Sequence, residues 1–479
     1  MSDLDTCLLA RFPGPRVPGW LRRWLDDGLG GVLLFAENIT GPGQLRDLVA
    51  ELRSHQPGVL IAADEEGGDI TRIEARAGSS YPGHAALGAV GDPALTQQVA
   101  VSLGAMLGAA GVNLALAPVA DLGGNPANPV IGVRSFGADP AQVAAHTAAF
   151  VAGLQSNLVA ACAKHFPGHG RTDADSHLTL PAVAASLAEL HAADLVPFRA
   201  AIGAGVRSVM TAHVVFPAVD DVPATISRRF LDGLLRTELG FGGVIITDAL
   251  GMAAISEGVG SAEGAVRSLA AGADLLCLPA APAAQQRARD TLAGAIRDGD
   301  LPVGRVQEAA ARVRELAAWA RPRPAAPPDQ DLAAAAARRA LLVGVSSGRL
   351  PLPGPPFVLD AGGPAGGLLG VLRGRAPSTD GIRLTEPAAQ PAGLDALIAR
   401  AAGRPLVVAV RAAHRRPWQA ELIARALARR PDAVVVGTGT AHDQTLAPGR
   451  YLGTRGSGRV SLEAAVDLLL GPARPDGPG

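Results

Sequence analysis

From Gly31 onward the chain repeats one pattern: a short apolar run ending in polar residues, an amphipathic segment rich in Ala, Leu and Arg, then another run. Strands that alternate with helices in this way require a parallel sheet, with the helices as crossovers. The runs are Gly31-Val32-Leu33-Leu34-Phe35, Val59-Leu60-Ile61-Ala62-Ala63, Val112-Asn113-Leu114-Ala115-Leu116, Val159-Ala160-Ala161-Cys162, Ser208-Val209-Met210-Thr211, Gly243-Val244-Ile245-Ile246 and Ala273-Asp274-Leu275-Leu276-Cys277-Leu278. Seven runs in roughly the first 320 residues approach the strand number and size of a (β/α)8 TIM barrel, which is the expected α/β fold. Polar residues follow the runs repeatedly: Glu37-Asn38, Asp64-Glu65-Glu66, Asp121, Lys164-His165, His213 and Asp248. In a barrel all of these strand ends converge on one face, so residues far apart in sequence would meet in one pocket. An open doubly wound sheet would gather such groups only at its switch point.

The balance of 43 Lys+Arg against 44 Asp+Glu leaves a net charge of -1 and no basic field for nucleic acid or anionic lipid. Aromatics at 3% also argue against base-stacking platforms. The uncharged stretch from Val99 to Ala120 is long enough to raise a membrane question, but Gly111, Asn113 and Pro118 divide it into a buried helix end and a strand. Cys7, Cys162 and Cys277 are few, far apart and set in apolar sequence, which predicts buried free thiols rather than a disulfide framework. Residues 1–12 lack the features of a signal peptide, so the cytoplasm is the expected location.

The barrel is expected to occupy residues 1–320, closing with a helix around Val306 to Trp319. The proline-rich stretch from Arg321 to Pro328 marks a linker over 321–332. Beyond it, a helix from Ala333 to Arg339, the runs Leu341–Val345, Pro405–Val410 and Ala433–Gly437, and an amphipathic helix from Trp418 to Arg429 predict a smaller C-terminal α/β sandwich domain over 333–471. The Gly- and Pro-rich region from Pro351 to Pro377 shows no readable elements, and 472–479 is expected to be a disordered tail.

The chemistry concentrates in Lys164-His165-Phe166-Pro167-Gly168-His169-Gly170-Arg171-Thr172-Asp173-Ala174-Asp175-Ser176-His177. Its apolar lead-in reads as a buried strand, and Pro167 with the following glycines turns the segment into a loop. Three of the ten histidines lie here, and Lys164 is the only lysine in the chain. Where every other cation is arginine, a single lysine points to a site that needs a compact ammonium rather than a planar fork. Two residues apart in an extended loop, Asp175 and His177 point the same way, so the carboxylate can orient the imidazole and favour its protonated form. Such a ring can give a proton to a leaving oxygen and then act as base. Asp248 ends the run Val244–Thr247 and would aim a carboxylate into the barrel mouth, the placement that a glycosidase nucleophile requires.

Lys-His-Phe-Pro-Gly-His-Gly at 164–170, followed by Asp175-Ser176-His177, resembles the signature of the β-N-acetylglucosaminidases of glycoside hydrolase family 3. Thr247-Asp248 with Gly251-Met252 resembles that family's nucleophile segment. Supporting matches are Asp64-Glu65-Glu66-Gly67-Gly68 with Arg72, Pro118-Val119-Ala120-Asp121, Val130–Gly137 and Met210-Thr211-Ala212-His213. The resemblance implies a covalent glycosyl-enzyme on Asp248, a His177/Asp175 acid/base pair, and a GlcNAc ring held by Asp64, Arg72, Arg134, Lys164 and His165. His213 is expected to line the pocket. The implied substrate is a small GlcNAc-containing oligosaccharide or muropeptide, with no cofactor, no metal, no nucleic-acid or membrane partner, and a monomeric chain. Two departures stand out: Asp69 replaces the arginine that often follows the Gly-Gly pair, and Glu65 stands where His or Gln is common; both are expected at the pocket rim. In related β-glucosidases the C-terminal domain supplies the acid/base. Here the loop carries one, so a structural or rim role is expected of that domain.

Three other readings bear on the same residues. A neutral histidine base repels phosphate less than a carboxylate does, which leaves a phosphorylase open beside the hydrolase. His165, His169, Asp173 and His177 could instead bind zinc, but their spacing matches no familiar zinc pattern. A non-catalytic sugar-binding protein would lack the nucleophile or the acid/base, and both are present.

Overall fold

The computed structural model describes residues 3–322, 327–363, 367–386 and 391–471. In chain order the first strands are β1 (Leu8–Ala10), β2 (Gly31–Leu34), β3 (Leu60–Ala63), β4 (Leu114–Ala115), β5 (Ala160–Phe166), β6 (Ser208–Thr211), β7 (Val215–Phe216), β8 (Asp220–Pro223), β9 (Val244–Ile246) and β10 (Leu276–Cys277). Among the described residues, eight of these form one sheet in the order β10-β1-β2-β3-β4-β5-β6-β9, and a parallel bridge between Ile246 and Leu275 joins its two ends. The sheet is a closed parallel barrel, and β7 and β8 form a separate antiparallel hairpin.

Alternation along each strand sorts side chains to the two faces. Val32 and Leu34, Ile61 and Ala63, and Ile245 pack outward against the helices. Leu33, Leu60, Ala62, Cys162, Val244, Ile246 and Cys277 fill the barrel interior. Helix starts are set by Asp-Pro pairs: Asp92 accepts the Leu95 N–H ahead of the helix Pro93–Ala110, and Asp139 accepts the Ala141 N–H ahead of Pro140–Gln155. The first of these helices ends at Gly111, φ +79°, and β4 follows, which is the division expected within the uncharged stretch. No helix among the described residues is long and apolar enough to cross a membrane. The helix Val303–Trp319 sends Val313 and Leu316 into the interior cluster, and Asn113 Nδ2 donates to Ala320 O (3.2 Å), closing the barrel at the end where β4 begins.

The second domain has β11 (Leu342–Val345), β12 (Phe357–Asp360), β13 (Asp380–Arg383), β14 (Leu406–Val410), β15 (Val434–Gly437) and β16 (Arg450–Gly453) in the order β11-β16-β15-β14-β12-β13. Only β11 runs antiparallel to its neighbour. Phe357, Leu359, Leu406, Val408 and Val435 face one core, and Val358, Val407, Ala409, Val434 and Val436 face the other. A sheet covered on both sides needs such continuous apolar strands, and the result is the α/β sandwich. Within 351–377, which showed no readable elements, lie β12 and the helix Gly367–Arg375. The expected tail 472–479 and residues 323–326 of the linker lie outside the described residues.

The helix expected from Ala333 spans Gln330–Arg339 and is shared between the domains. Its Ala333 and Ala336 join the barrel's outer core, while Ala337 packs with Val460 and Ala464. Asp69 also joins the two domains. It accepts from Ser457 Oγ (3.0 Å) and from the Ser457 N–H, and it forms an ion pair with Arg411 Nη1 (2.5 Å), so this departure from the family pattern is an interdomain tie. A Cβ on Gly458 would lie 2.8 Å from Gly68 Cα, an approach that only glycine permits.

Candidate active site

A cavity of about 470 Å³ opens at the C-terminal ends of the barrel strands. Asp64, Arg72, Arg134, Lys164, His165, His177 and Asp248 all line it. Seven of the nine residues singled out in sequence therefore meet there, drawn from loops after β3, β4, β5 and β9 and from β5 itself. Asp175 lies behind the ring of His177. His213 is the exception: fully buried, it is not among the lining residues, and its nitrogens face Thr225 Oγ1 (2.7 Å) and Ala249 O (3.1 Å). It supports the wall behind Asp248 instead of forming the cavity surface.

Four of these groups, with Glu66, form a ladder of alternating charge. Arg72 Nη2 donates to Asp64 Oδ2 (3.2 Å), Lys164 Nζ donates to Asp64 Oδ1 (2.8 Å) and pairs ionically with Glu66 Oε1 (2.7 Å), and Arg134 forks onto Glu66 through Nη2 (2.8 Å) and Nε (3.0 Å). The Lys164 and Glu66 side chains are each 1% exposed, so removing a partner from either would leave a buried charge only partly compensated. Burial pushes the Glu66 carboxyl up, but Arg134 and then Lys164 outweigh it and hold the group well below its ordinary value. The same contest keeps Asp64 ionised, through Lys164 and Arg72, and raises Lys164, through Asp64 and Glu66. The ladder presents fixed acceptors and donors at the cavity wall. Arg11 stacks over Phe35, 3.8 Å from the ring centroid, and both line the cavity.

The loop after β5 is held from below by Asp121. Its Oδ2 accepts the His165 N–H (3.1 Å) and Nδ1 (2.7 Å), and its Oδ1 accepts the His169 N–H (2.6 Å). With Asp121 held ionised against burial, chiefly by His165, Nδ1 of His165 carries the proton and Nε2 is its free nitrogen. His169 is bonded at both ring nitrogens, to Thr172 Oγ1 and Ser176 Oγ (2.9 Å each). Among the described residues no group of three or more His, Cys, Asp and Glu side chains is arranged to hold a metal ion. At Gly170 a Cβ would lie 2.0 Å from Leu122 O, so the motif's glycine is what allows the loop to pass.

Asp248 follows β9, where Thr247 is tied to the next strand by Cys277 N–H on its Oγ1 (2.9 Å). Asp248 Oδ1 accepts the Ala249 N–H (2.7 Å), leaving Oδ2 without a donor among the described residues. Burial disfavours the carboxylate, but His213, then His165, the Ala249 N–H and Lys164 bring it below its ordinary range. The group is an ionised carboxylate with one free oxygen on a rigid element. His177 is bound by Asp175, whose Oδ1 accepts both its N–H (2.9 Å) and its Nδ1 (2.8 Å). Burial of Asp175 is outweighed by those two bonds, so it stays ionised and fixes the proton of the neutral ring on Nδ1. Nε2 is then an acceptor in the neutral ring and a donor in the imidazolium. The His177 side chain is 62% exposed, between this cavity and a second cleft of about 310 Å³. That cleft is walled on its far side by Arg411, His414, Arg415 and His442 of the C-terminal domain.

Sequence reading assigns no role to Arg11 and Phe35, gives Glu66 and Asp121 only as strand-end polar residues, and gives His169 only as a possible zinc ligand. Parity could have found Glu66, since residues two apart share a direction and Asp64 was already singled out. Glu65 lies not at the rim but fully buried on the opposite side, where its Oε2 accepts the N–H groups of Arg72 (2.9 Å) and Ile73 (3.0 Å). Burial pushes its carboxyl from 4.5 up to about 7. The folded protein thus holds a proton that the unfolded chain releases, so this contribution to stability is complete below pH 4.5 and is lost as the pH rises through about 7. Glu65→Gln keeps an acceptor and carries no charge. Denaturant unfolding at pH 5 and pH 8 is expected to show a smaller decline in the variant than in the parent, by about 3 kcal/mol. Equal declines would contradict the assignment. Cys7 and Cys162, both free, are pushed up to about 12 by burial, and Cys277 is buried and free as well.

The family model described as "Glycosyl hydrolase family 3 N terminal domain" matches residues 21–316. A β-hexosaminidase of Pseudomonas aeruginosa is 40% identical over 252 residues, covering 52% of this chain and 74% of that protein. One from Stenotrophomonas maltophilia is 42% identical over 284 residues, covering 57% and 83%. Among solved structures, a glycoside hydrolase family 3 β-N-acetylglucosaminidase from Paenibacillus sp. str. FPU-7 superposes with a TM-score of 0.87 at 32% identity, covering 98% of this chain and 96% of that one. With the family model spanning the barrel and the strand-end ladder assembled in its mouth, the chain belongs to glycosyl hydrolase family 3.

Proposed function

We propose that this chain is a retaining exo-β-N-acetylglucosaminidase that removes terminal β-linked GlcNAc from GlcNAc-MurNAc fragments of peptidoglycan in the cytoplasm, with catalysis assigned to residues 1–320. The β-hexosaminidase activity rests on the relatives and the solved neighbour described above. One observation carries the mechanism: a free carboxylate oxygen of Asp248 and the Asp175-oriented ring of His177 face the same cavity. Oδ2 of Asp248 attacks the anomeric carbon while Nε2–H of His177 protonates the departing oxygen. The neutral Nε2 then takes a proton from water as that water attacks the same carbon and releases Asp248. Asp64, Arg72, Arg134, Lys164 and His165 hold the ring hydroxyls and the acetamido group. The cavity ends against Leu33, Leu116, Met210 and Cys277, which fits one terminal sugar.

The test is product analysis with an aryl β-N-acetylglucosaminide, with and without phosphate. Free GlcNAc in both buffers, released first as the β-anomer, is the expected result. GlcNAc-1-phosphate appearing only with phosphate would move the assignment to a phosphorylase with the same residues, and first release of the α-anomer would remove the covalent step.

A further inference from the structure

Beside the Asp69 tie and lining the same cleft, the C-terminal domain also reaches the barrel at the loop 126–128. His414 Nε2 lies 3.2 Å from Pro126 O, and Arg415 Nη1 donates to Ala127 O (3.1 Å) and to Asn128 O. Both residues sit on a short helical turn, Ala413–Arg415, entered through Ala412 at φ +56°, a left-handed conformation rare for alanine. His414 is fixed from behind by Asp443, whose buried Oδ1 accepts its N–H (2.9 Å) and Nδ1 (2.6 Å). The turn is therefore a rigid fixture aimed at one segment of barrel backbone.

That segment in turn holds the loop that carries His177. Asn128, buried, donates through Nδ2 to His169 O (2.9 Å), Gly170 O (3.1 Å) and Thr172 Oγ1 (3.2 Å). Asn125 Nδ2 donates to Arg171 O and Thr172 O (3.2 Å each) and to Asp173 Oδ1 (2.6 Å). The His169 ring then ties Thr172 to Ser176, the residue before His177. Three tethers act independently of the clamp: the His169 N–H on Asp121 Oδ1 (2.6 Å), Arg171 Nε on Asp194 (2.8 Å) and the Ala254 N–H on Ser176 O (3.4 Å). Removing the clamp should loosen the loop without unfolding the barrel.

We propose that Arg415, with His414, is a positioning residue for the acid/base: through Asn128 and Asn125 the C-terminal domain sets the place of His177, although it donates no group to the reaction. The inference rests on His177 as the proton donor. A displaced donor harms departure of a basic leaving group most and of a strongly acidic phenol least, whereas a general structural fault harms both alike.

The experiment compares the full-length parent, Arg415→Ala, Arg415→Lys and His177→Ala on phenyl and 2,4-dinitrophenyl β-N-acetylglucosaminides, with inhibition by GlcNAc as a measure of sugar-site integrity. In Arg415→Ala, kcat/KM on the phenyl substrate is expected to fall at least about tenfold, against less than about twofold on the dinitrophenyl substrate. GlcNAc inhibition should stay within about twofold and the pH profile on the phenyl substrate should flatten on its alkaline limb, where the proton donor titrates, with part of the loss regained in Arg415→Lys. An equal fall on both substrates, weakened GlcNAc binding, or no fall, while His177→Ala shows the leaving-group dependence, overturns the positioning role alone. If His177→Ala shows no such dependence, the acid assignment fails and the inference with it.

Discussion

Asp248→Ala is expected to lower kcat on an aryl β-N-acetylglucosaminide by at least about 10⁴-fold while changing GlcNAc inhibition little. The size of the loss follows from the absence of a substitute. Asp64 and Glu66 are the other carboxylates lining the cavity, and both are committed to Lys164 and the flanking arginines. Asp175 is committed to His177. A cation-bound carboxylate is a poor nucleophile, because attack must first break the ion pair. Asp248→Asn separates shape from charge: its amide oxygen can keep the Ala249 N–H bond but cannot form the ester, so it should be as inactive as alanine. A loss below about tenfold in either variant would show that Asp248 is not the attacking group.

Lys164→Met is expected to destabilise the protein by about 3–5 kcal/mol, because it strips one cation from between two buried carboxylates. Loss of a charge-assisted donor at the cavity wall should also weaken GlcNAc inhibition by at least about tenfold. Asp64 and Glu66 are held below 3.8 and 4.5, so their contribution is present above those values and is lost as the pH falls through the folded ones. Without Lys164 those folded values rise, and the acid unfolding transition should move to higher pH. Lys164→Arg should restore little, since a planar fork does not fit where Nζ sits 2.7–2.8 Å from two carboxylates on different residues. Denaturant unfolding at neutral pH checks the prediction, and a change below about 1 kcal/mol would contradict it.

Much of this architecture is legible because its period is regular. Seven runs correspond to barrel strands, and β1 escapes because Leu8–Ala10 is too short, between a four-residue helix and a proline-rich loop, for alternation to register. In the C-terminal domain β12 has only three apolar residues in Gly- and Pro-rich surroundings, and β13 is half exposed, so neither shows a clear period. Position at strand ends alone brings Asp64, Lys164, His165 and Asp248 to one cavity. Position alone also placed His213 on the cavity surface, where the structure puts it one layer behind. Distinguishing the adjacent acids Glu65 and Glu66 required their parity relative to Asp64, which sends one to Lys164 and the other to the backbone of Arg72. Contacts made across 280 or more residues, such as Arg415 on Ala127 at a separation of 288, leave no local trace in the sequence.

The covalent step is the centre of the account, and an N-acetylglucosaminyl fluoride with a second fluorine at C5 tests it directly. The electron-withdrawing fluorine slows formation and breakdown of the intermediate, and the fluoride leaving group keeps formation the faster of the two. Peptide mass analysis of the inactivated enzyme should find one sugar on the peptide containing Asp248 and none in Asp248→Ala. A sugar on any other residue, or an enzyme that turns the reagent over with inversion and carries no label, would contradict the account.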